Sequence, residues 1–156
     1  MILRDCRKAR RGSVADLLCG TYYPSIDQKG RMSFPTKLRD VLGTEFYLCQ
    51  GPDDSYIAVY SPSAFQAYCE KLDSIKGQRG SQVRRKLLAS ADKQIPDKQG
   101  RIFISQALRD HAGITDEVVV IGANTKAEIW NKSKWEEFNS TISQEDINDV
   151  LADLVL

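Results

Sequence analysis

The 156-residue chain carries 22 Lys and Arg against 21 Asp and Glu, a formal net charge of +1, with 42% hydrophobic residues. That composition supports a real core, of one domain or of two halves fused around a shared one. It excludes a uniformly basic nucleic-acid binder, so any such site must be a local patch on a nearly neutral body.

Residues 1–16 differ in character from the rest of the chain. Arg4, Arg7, Lys8, Arg10 and Arg11 crowd together with only Asp5 among them, and the stretch lacks apolar periodicity. It reads as a disordered basic extension or the product of an upstream start codon, the other reading being a nonspecific phosphate-binding arm. Cys19 to Tyr23 suits a first strand that Pro24 ends. Ile26-Asp-Gln-Lys-Gly-Arg31 is turn chemistry: the Asp accepts from backbone N–H groups just after it, and the Gly permits positive φ. A strand from Met32 to Phe34 comes next, then a short amphipathic helix through Leu38, Val41 and Leu42, begun near Pro35 and stopped by Gly43. Phe46–Gln50 and Tyr56–Tyr60 form a strand pair around the turn Gly51 to Ser55. Ser61 or Ser63 caps a helix with Phe65, Tyr68 and Leu72 on one face. After Lys76-Gly-Gln-Arg-Gly80, a helix runs from about Ser81 to Ser90. Val83, Leu87 and Leu88 are expected inside, and Arg84, Arg85 and Lys86 outside as a mainly solvated face.

The second half replays the first. Pro96-Asp-Lys-Gln-Gly-Arg101 repeats the loop: Asp27, Gly30 and Arg31 return as Asp97, Gly100 and Arg101, an offset of 70 residues. The same offset pairs Leu38-Arg39-Asp40 with Leu108-Arg109-Asp110, Gly43 with Gly113, Tyr60 with Trp130, Phe65 with Trp135 and Tyr68 with Phe138. Chance could repeat a five-residue turn, but it rarely keeps ungapped register through the apolar residues beyond, so the chain is an internal duplication. A strand from Arg101, a helix ending near His111 and Gly113, strands Glu117–Ile121 and Ala127–Trp130, and a helix from Ser133 complete the second copy. His111, near a helix C-terminus, reads as structural. A last helix capped by Ser143 carries an apolar stripe of Ile147, Val150, Leu151 and Leu154, expected to pack on the body or on a partner subunit.

Each loop copy is a tight turn in which Asp and Arg can simply pair. Retention of the Arg in both copies, with Lys29 or Lys98 beside it, goes beyond what a turn needs. Catalysis finds no support: no nucleophile–base pair, G-x-S-x-G, Walker A or G-x-G-x-x-G is present. Asp27 and Asp97 could meet as a carboxylate dyad, but an Arg four residues on argues for ionised structural acids. Cys6, Cys19, Cys49 and Cys69 form no C-x-x-C pair, and with one histidine they give no zinc spacing; no cofactor or metal is expected, and the cysteines read as reduced thiols of a cytoplasmic protein. No apolar run approaches a membrane span, and no signal peptide is visible.

Two copies of Asp-x-x-x-Arg, each before a strand and a short helix, resemble the MraZ family of bacterial regulators of the division and cell wall gene cluster. The resemblance covers residues 17 to 156. It is carried by Gly20-Thr-Tyr-Tyr-Pro-Ser-Ile-Asp-Gln-Lys-Gly-Arg31, Arg85-Lys-Leu-Leu-Ala89, Asp97-Lys-Gln-Gly-Arg-Ile-Phe-Ile104 and Leu108-Arg-Asp-His-Ala-Gly-Ile114. It implies an α+β fold, a tandem AbrB-like swapped-hairpin β-barrel in which the duplicated halves form a pseudo-dimer with flanking helices. The expected division is a basic extension 1–16, a first half 21–63, connecting helices 64–91, a second half 92–135 and C-terminal helices 136–156. It further implies a DNA-binding repressor of its own operon that acts on promoter direct repeats as a ring-shaped homo-oligomer, cytoplasmic and nucleoid-associated, with no enzyme activity and no small-molecule substrate. Arg31 and Arg101 would face double-stranded DNA, Lys29 and Lys98 would add phosphate contacts, and Asp27, Gly30, Asp97 and Gly100 would shape the loops. Two other readings compete: a ring-forming protein scaffold in which Asp-x-x-x-Arg is only a clamp, and an antitoxin-like regulator on the AbrB fold.

Overall fold

The computed structural model describes residues 17–154; both readings of the basic stretch 1–16 lie outside them. In the first half come β1 (Thr21–Tyr22), β2 (Arg31–Ser33), α1 (Thr36–Leu42), β3 (Phe46–Gln50), β4 (Tyr56–Tyr60) and α2 (Pro62–Asp73). Helix α3 (Gln78–Ser90) connects to β5 (Asp92–Gln94), β6 (Arg101–Phe103), α4 (Gln106–Ala112), β7 (Val118–Gly122), β8 (Ala127–Asn131) and α5 (Lys132–Ser140), and α6 (Gln144–Ala152) ends the series. Local chemistry sets the ends. Ser61 caps α2 by accepting from Ala64 N–H, and Ser105 caps α4 by accepting from Leu108 N–H. Gly43, at φ 100°, closes α1 by donating to Arg39 O, a conformation open to glycine because it has no Cβ.

All strand pairs are antiparallel. One sheet runs β1-β7-β8-β4-β3-β5; β2 and β6 form a separate two-stranded ribbon. Exchange of the halves reverses the six-strand order onto itself. The local two-fold passes between Ala58 and Glu128, partners in β4–β8, and between Met32 and Ile102, partners in β2–β6; both pairs are 70 apart in sequence. Strands are traded across this axis: β1 pairs with β7 and β5 with β3. The halves therefore share one core, in which Met32, Phe34, Leu38 and Leu42 meet their counterparts Ile102, Ile104, Leu108 and Ala112. Truncating one of these large apolar side chains costs about 2–5 kcal/mol. On the opposite side of the sheet, α2 and α5 lay repeated aromatics against it: Tyr60 stacks on Tyr68 with ring centroids 5.1 Å apart, and Trp130 meets Trp135 at 5.3 Å. Glu128 is buried there, paired with Lys126 at 3.3 Å and accepting from Trp130 Nε1 at 3.0 Å. Burial pushes the Cys49 thiol beneath them up to about 12.

Three expectations are corrected. Helix α3 starts at Gln78, and its faces are not as periodicity suggests: Val83 and Leu88 are exposed, while Arg84 turns inward. Its Nη1 donates to the carbonyls of Leu72 (3.2 Å) and Ile75 (2.6 Å) at the end of α2, satisfying acceptors that a helix C-terminus leaves open. The apolar stripe of α6, expected to pack on the body or on a partner subunit, is not buried against the body: the helix has no buried residue. The first strand is shorter than Cys19–Tyr23, at Thr21–Tyr22, and a strand that the residue pattern does not predict, Asp92–Gln94, forms on the sheet edge. Among the described residues no helix is long and apolar enough to cross a membrane.

Candidate functional site

The two Asp-x-x-Gly-Arg loops adopt the same conformation. Asp27 Oδ1 accepts from the N–H groups of Lys29 (2.9 Å) and Arg31 (3.0 Å), and its Oδ2 accepts from Arg31 Nε at 2.9 Å. Asp97 repeats this with Gln99 N–H (2.9 Å), Arg101 N–H (2.9 Å) and Arg101 Nε (3.0 Å). Backbone bonds close both turns: Asp27 N–H to Arg31 O at 2.9 Å, and Asp97 N–H to Arg101 O at 3.0 Å. The Arg31 and Arg101 backbone N–H groups, with smaller help from their guanidinium groups and the next loop N–H, hold the two carboxyls below the ordinary Asp range. They are ionised structural acids rather than a dyad with a raised pKa.

Gly30 and Gly100 carry φ of 93° and 77°, and both are buried. Each lies under an arginine of the opposite half. A Cβ on Gly30 would meet the Ile104 carbonyl and sit 2.8 Å from Arg109 Nε; one on Gly100 would sit 2.7 Å from Arg39 Cζ. The ribbon backbone crosses in the same sense, Phe34 N–H donating to Gly100 O (3.0 Å) and Ile104 N–H to Gly30 O (2.8 Å). Arg109 Nη1 and Nη2 also reach the carbonyls of Gln28 (3.3 Å) and Lys29 (3.4 Å). Arg39 is turned instead to Thr36 Oγ1 at 3.1 Å. The repeat Leu-Arg-Asp made both arginines visible in the sequence, but not their role as braces of the loops.

Strand alternation decides where the loop arginines point. Met32 and Ile102 enter the core, so Arg31, Ser33, Arg101 and Phe103 share the outer face of the β2–β6 ribbon. Arg31 pairs with Phe103 and Arg101 with Ser33, which makes the arginines diagonal neighbours roughly 7–8 Å apart. Their side chains keep 49% and 41% of their exposure. Only Nε of each is committed among the described residues, leaving the Nη edge of each guanidinium as a planar donor for anionic or carbonyl oxygens. Lys29 and Lys98 are exposed on the same turns, in swapped order.

Fold and site together define a tandem-duplicated α+β protein that presents paired arginine loops on a two-stranded ribbon. A family model described as "MraZ protein, putative antitoxin-like" matches residues 17–84 and again 87–156. A protein of Finegoldia magna named transcriptional regulator MraZ is 41% identical over 139 residues, 86% of this chain and 96% of its own. One of the same name from Thermoanaerobacter is 40% identical over 144 residues (88% and 99%), and one from Bifidobacterium longum 36% over 141 (89% and 93%). The chain belongs to the MraZ family.

Proposed function

We propose that the protein is a sequence-specific double-stranded DNA-binding transcriptional regulator that represses its own division and cell wall operon by binding direct repeats in the promoter. The observation that carries this reading is the position of Arg31 and Arg101 side by side on the outer face of the ribbon. A two-stranded antiparallel ribbon fits the major groove, where an arginine edge can fork onto guanine O6 and N7 or onto phosphate. The Asp27 and Asp97 clamps fix each guanidinium before contact, which lowers the ordering entropy of binding. Lys29 and Lys98 supply phosphate contacts beside the arginines. The traded pairing of β1 with β7 and of β5 with β3 supports assigning the halves to a tandem AbrB-like swapped-hairpin barrel. One arginine pair is a weak site. A ring-shaped homo-oligomer would present many ribbons to repeated sequences and gain avidity through effective concentration. In the cell such a protein works in the cytoplasm at the nucleoid.

The scaffold reading draws on one observation, that each arginine is already paired with its own aspartate. An electrophoretic shift with the DNA upstream of the chain's own gene, against random duplex of equal length, separates the two. Retarded operator at protein concentrations that leave random duplex free is the expected result; equal retardation, or none, overturns sequence-specific recognition.

A further inference from the structure

Helices α3 and α6 come after α2 and α5 at corresponding places in the two halves, and neither has a buried residue. Their charges are opposite. Helix α3 carries Arg79, Arg84, Arg85 and Lys86 without an acid, and α6 carries Glu145, Asp146 and Asp149, with Asp153 at its C-cap, without a base. Arg84 is occupied inside the chain. Among the described residues, Arg79, Arg85, Lys86 and the four acids of α6 take part in no ion pair.

The patterns match in detail. Arg79, Val83 and Lys86 stand at i, i+4 and i+7, one exposed stripe of α3. Asp146, Val150 and Asp153 stand at the same spacing on α6. Val83 is 46% exposed and Val150 67%, and Leu151 and Leu154 widen the apolar part of the α6 stripe. Each helix thus shows a valine flanked by two like charges, and the sign differs between them.

We propose that α6 of one copy docks on α3 of a second copy, Val150 against Val83, with Asp146 and Asp153 facing Arg79 and Lys86. Both faces lie bare on the same chain, so they complete each other between copies. The contact joins two different surfaces, and such a head-to-tail contact propagates until rotation closes a ring. The apolar stripe supplies attraction. The charges fix orientation and oppose the competing pairings of α6 on α6 and α3 on α3. A single helix pair is far smaller than a stable protein interface, so ring closure is what makes it durable. This inference rests on the homo-oligomer reading given above and names its joint.

Charge reversal tests it. Arg79→Glu with Lys86→Glu reverses α3; Asp146→Lys with Asp153→Lys reverses the facing stripe of α6, and Asp146→Asn with Asp153 unaltered measures what loss of the Ser143–Asp146 capping box does by itself. Light scattering after size exclusion should show an assembly for the unaltered chain and a fall in mass for each variant alone, association weakening on the order of a hundredfold. An equimolar mixture should rebuild the assembly, since each variant's α6 then meets an α3 of opposite sign. Circular dichroism melts identify any unfolded variant, and Arg79→Gln with Lys86→Gln and Asp146→Asn with Asp153→Asn then serve as the milder pair. An assembling chain whose mass survives both reversals overturns this joint while leaving the ring standing. Loss on reversal of α6 but not of α3, or failure of the mixture to reassemble, overturns the pairing. An unaltered chain that is monomeric at every concentration overturns ring and joint together.

Discussion

Arg109 donates through Nη2 to the carbonyl oxygen of Lys29, 3.4 Å away and in the other half of the duplication. The loop that presents Arg31 is therefore held by a helix from the second copy, and the loop that presents Arg101 lies under Arg39 from the first. The braces are not equal. Thr36 draws the Arg39 fork back onto its own helix. At the corresponding position Gln106 bonds Asp110 instead, at 2.7 Å, and leaves Arg109 free to reach across.

Arg109→Gln should therefore loosen the first loop more than the second. It removes two long hydrogen bonds to loop carbonyls and the Nε bond to Ile104 O at 3.0 Å, and should cost about 1–3 kcal/mol of global stability. Hydrogen exchange read by mass spectrometry should rise at residues 28–31 with little change at 98–101. Arg39→Gln should have the weaker effect on its loop. Equal exchange in both loops of the Arg109 variant would show that the cross-brace does not order the turn.

Gly30→Ala and Gly100→Ala should destabilise more than Gly43→Ala. All three glycines hold positive φ, and strain of that kind costs on the order of 1–3 kcal/mol. At Gly43 an added Cβ meets nothing within 4 Å, whereas at Gly30 and Gly100 it strikes the opposing arginine, and at Gly30 the Ile104 backbone as well. Thermal melts of the three variants should rank Gly43→Ala highest. A Gly30→Ala melt equal to that of Gly43→Ala would mean that the loop shifts freely away from its brace.

The duplicated loops were legible in the sequence because their chemistry is local: an Asp four residues before an Arg, with a Gly between, defines the turn without help from the rest of the chain. The core helices were legible for the same reason, through Leu38 and Leu42 and through Leu108 and Ala112 at helical spacing. Strand exchange was not. Asp92-Lys-Gln94 is polar and becomes a strand only because β3 offers an unpaired edge. Arg84 looks like a solvated charge until the open carbonyls of α2 are placed beside it. Arg39 and Arg109 stood out as a repeat, yet which loop each would hold depends on how the ribbon crosses, information carried by long-range pairing alone.

Asp27 and Asp97 should give the protein a defined acid limb. Both carboxyls lie below their ordinary value of 3.8 when folded, first through the Arg31 and Arg101 backbone N–H groups. A group depressed in this way contributes its full stability above the unfolded-state value and loses it as pH falls through the folded-state one. The unaltered chain should therefore melt higher than Asp27→Asn with Asp97→Asn at neutral pH. The gap should persist to the ordinary carboxylate range and close only below it. A gap that closes well above that range, near neutral pH, would contradict the ionised clamp.

Arg31→Ala and Arg101→Ala should weaken DNA binding steeply while leaving the fold intact. Both side chains are about half exposed, so truncation removes little buried area and a surface ion pair that contributes roughly 0–1 kcal/mol. In a complex each variant loses a charge-assisted fork, about 1–3 kcal/mol where it reads a base edge. That loss recurs at every bound ribbon of a multivalent assembly, so apparent affinity falls by more than one contact suggests. The kind of contact is separable by titrating operator and random duplex at two salt concentrations. Base readout predicts a larger drop for operator than for random duplex. Phosphate contact alone predicts a uniform drop and a shallower salt slope. Asp27→Ala and Asp97→Ala should behave otherwise, with a lower melt as well as weaker binding, because each Asp accepts two backbone N–H bonds that build the loop. If both arginine variants melt normally and bind operator as the unaltered chain does, the ribbon face is not the DNA site. The Asp–Arg pairs would then stand as structural clamps of a protein scaffold.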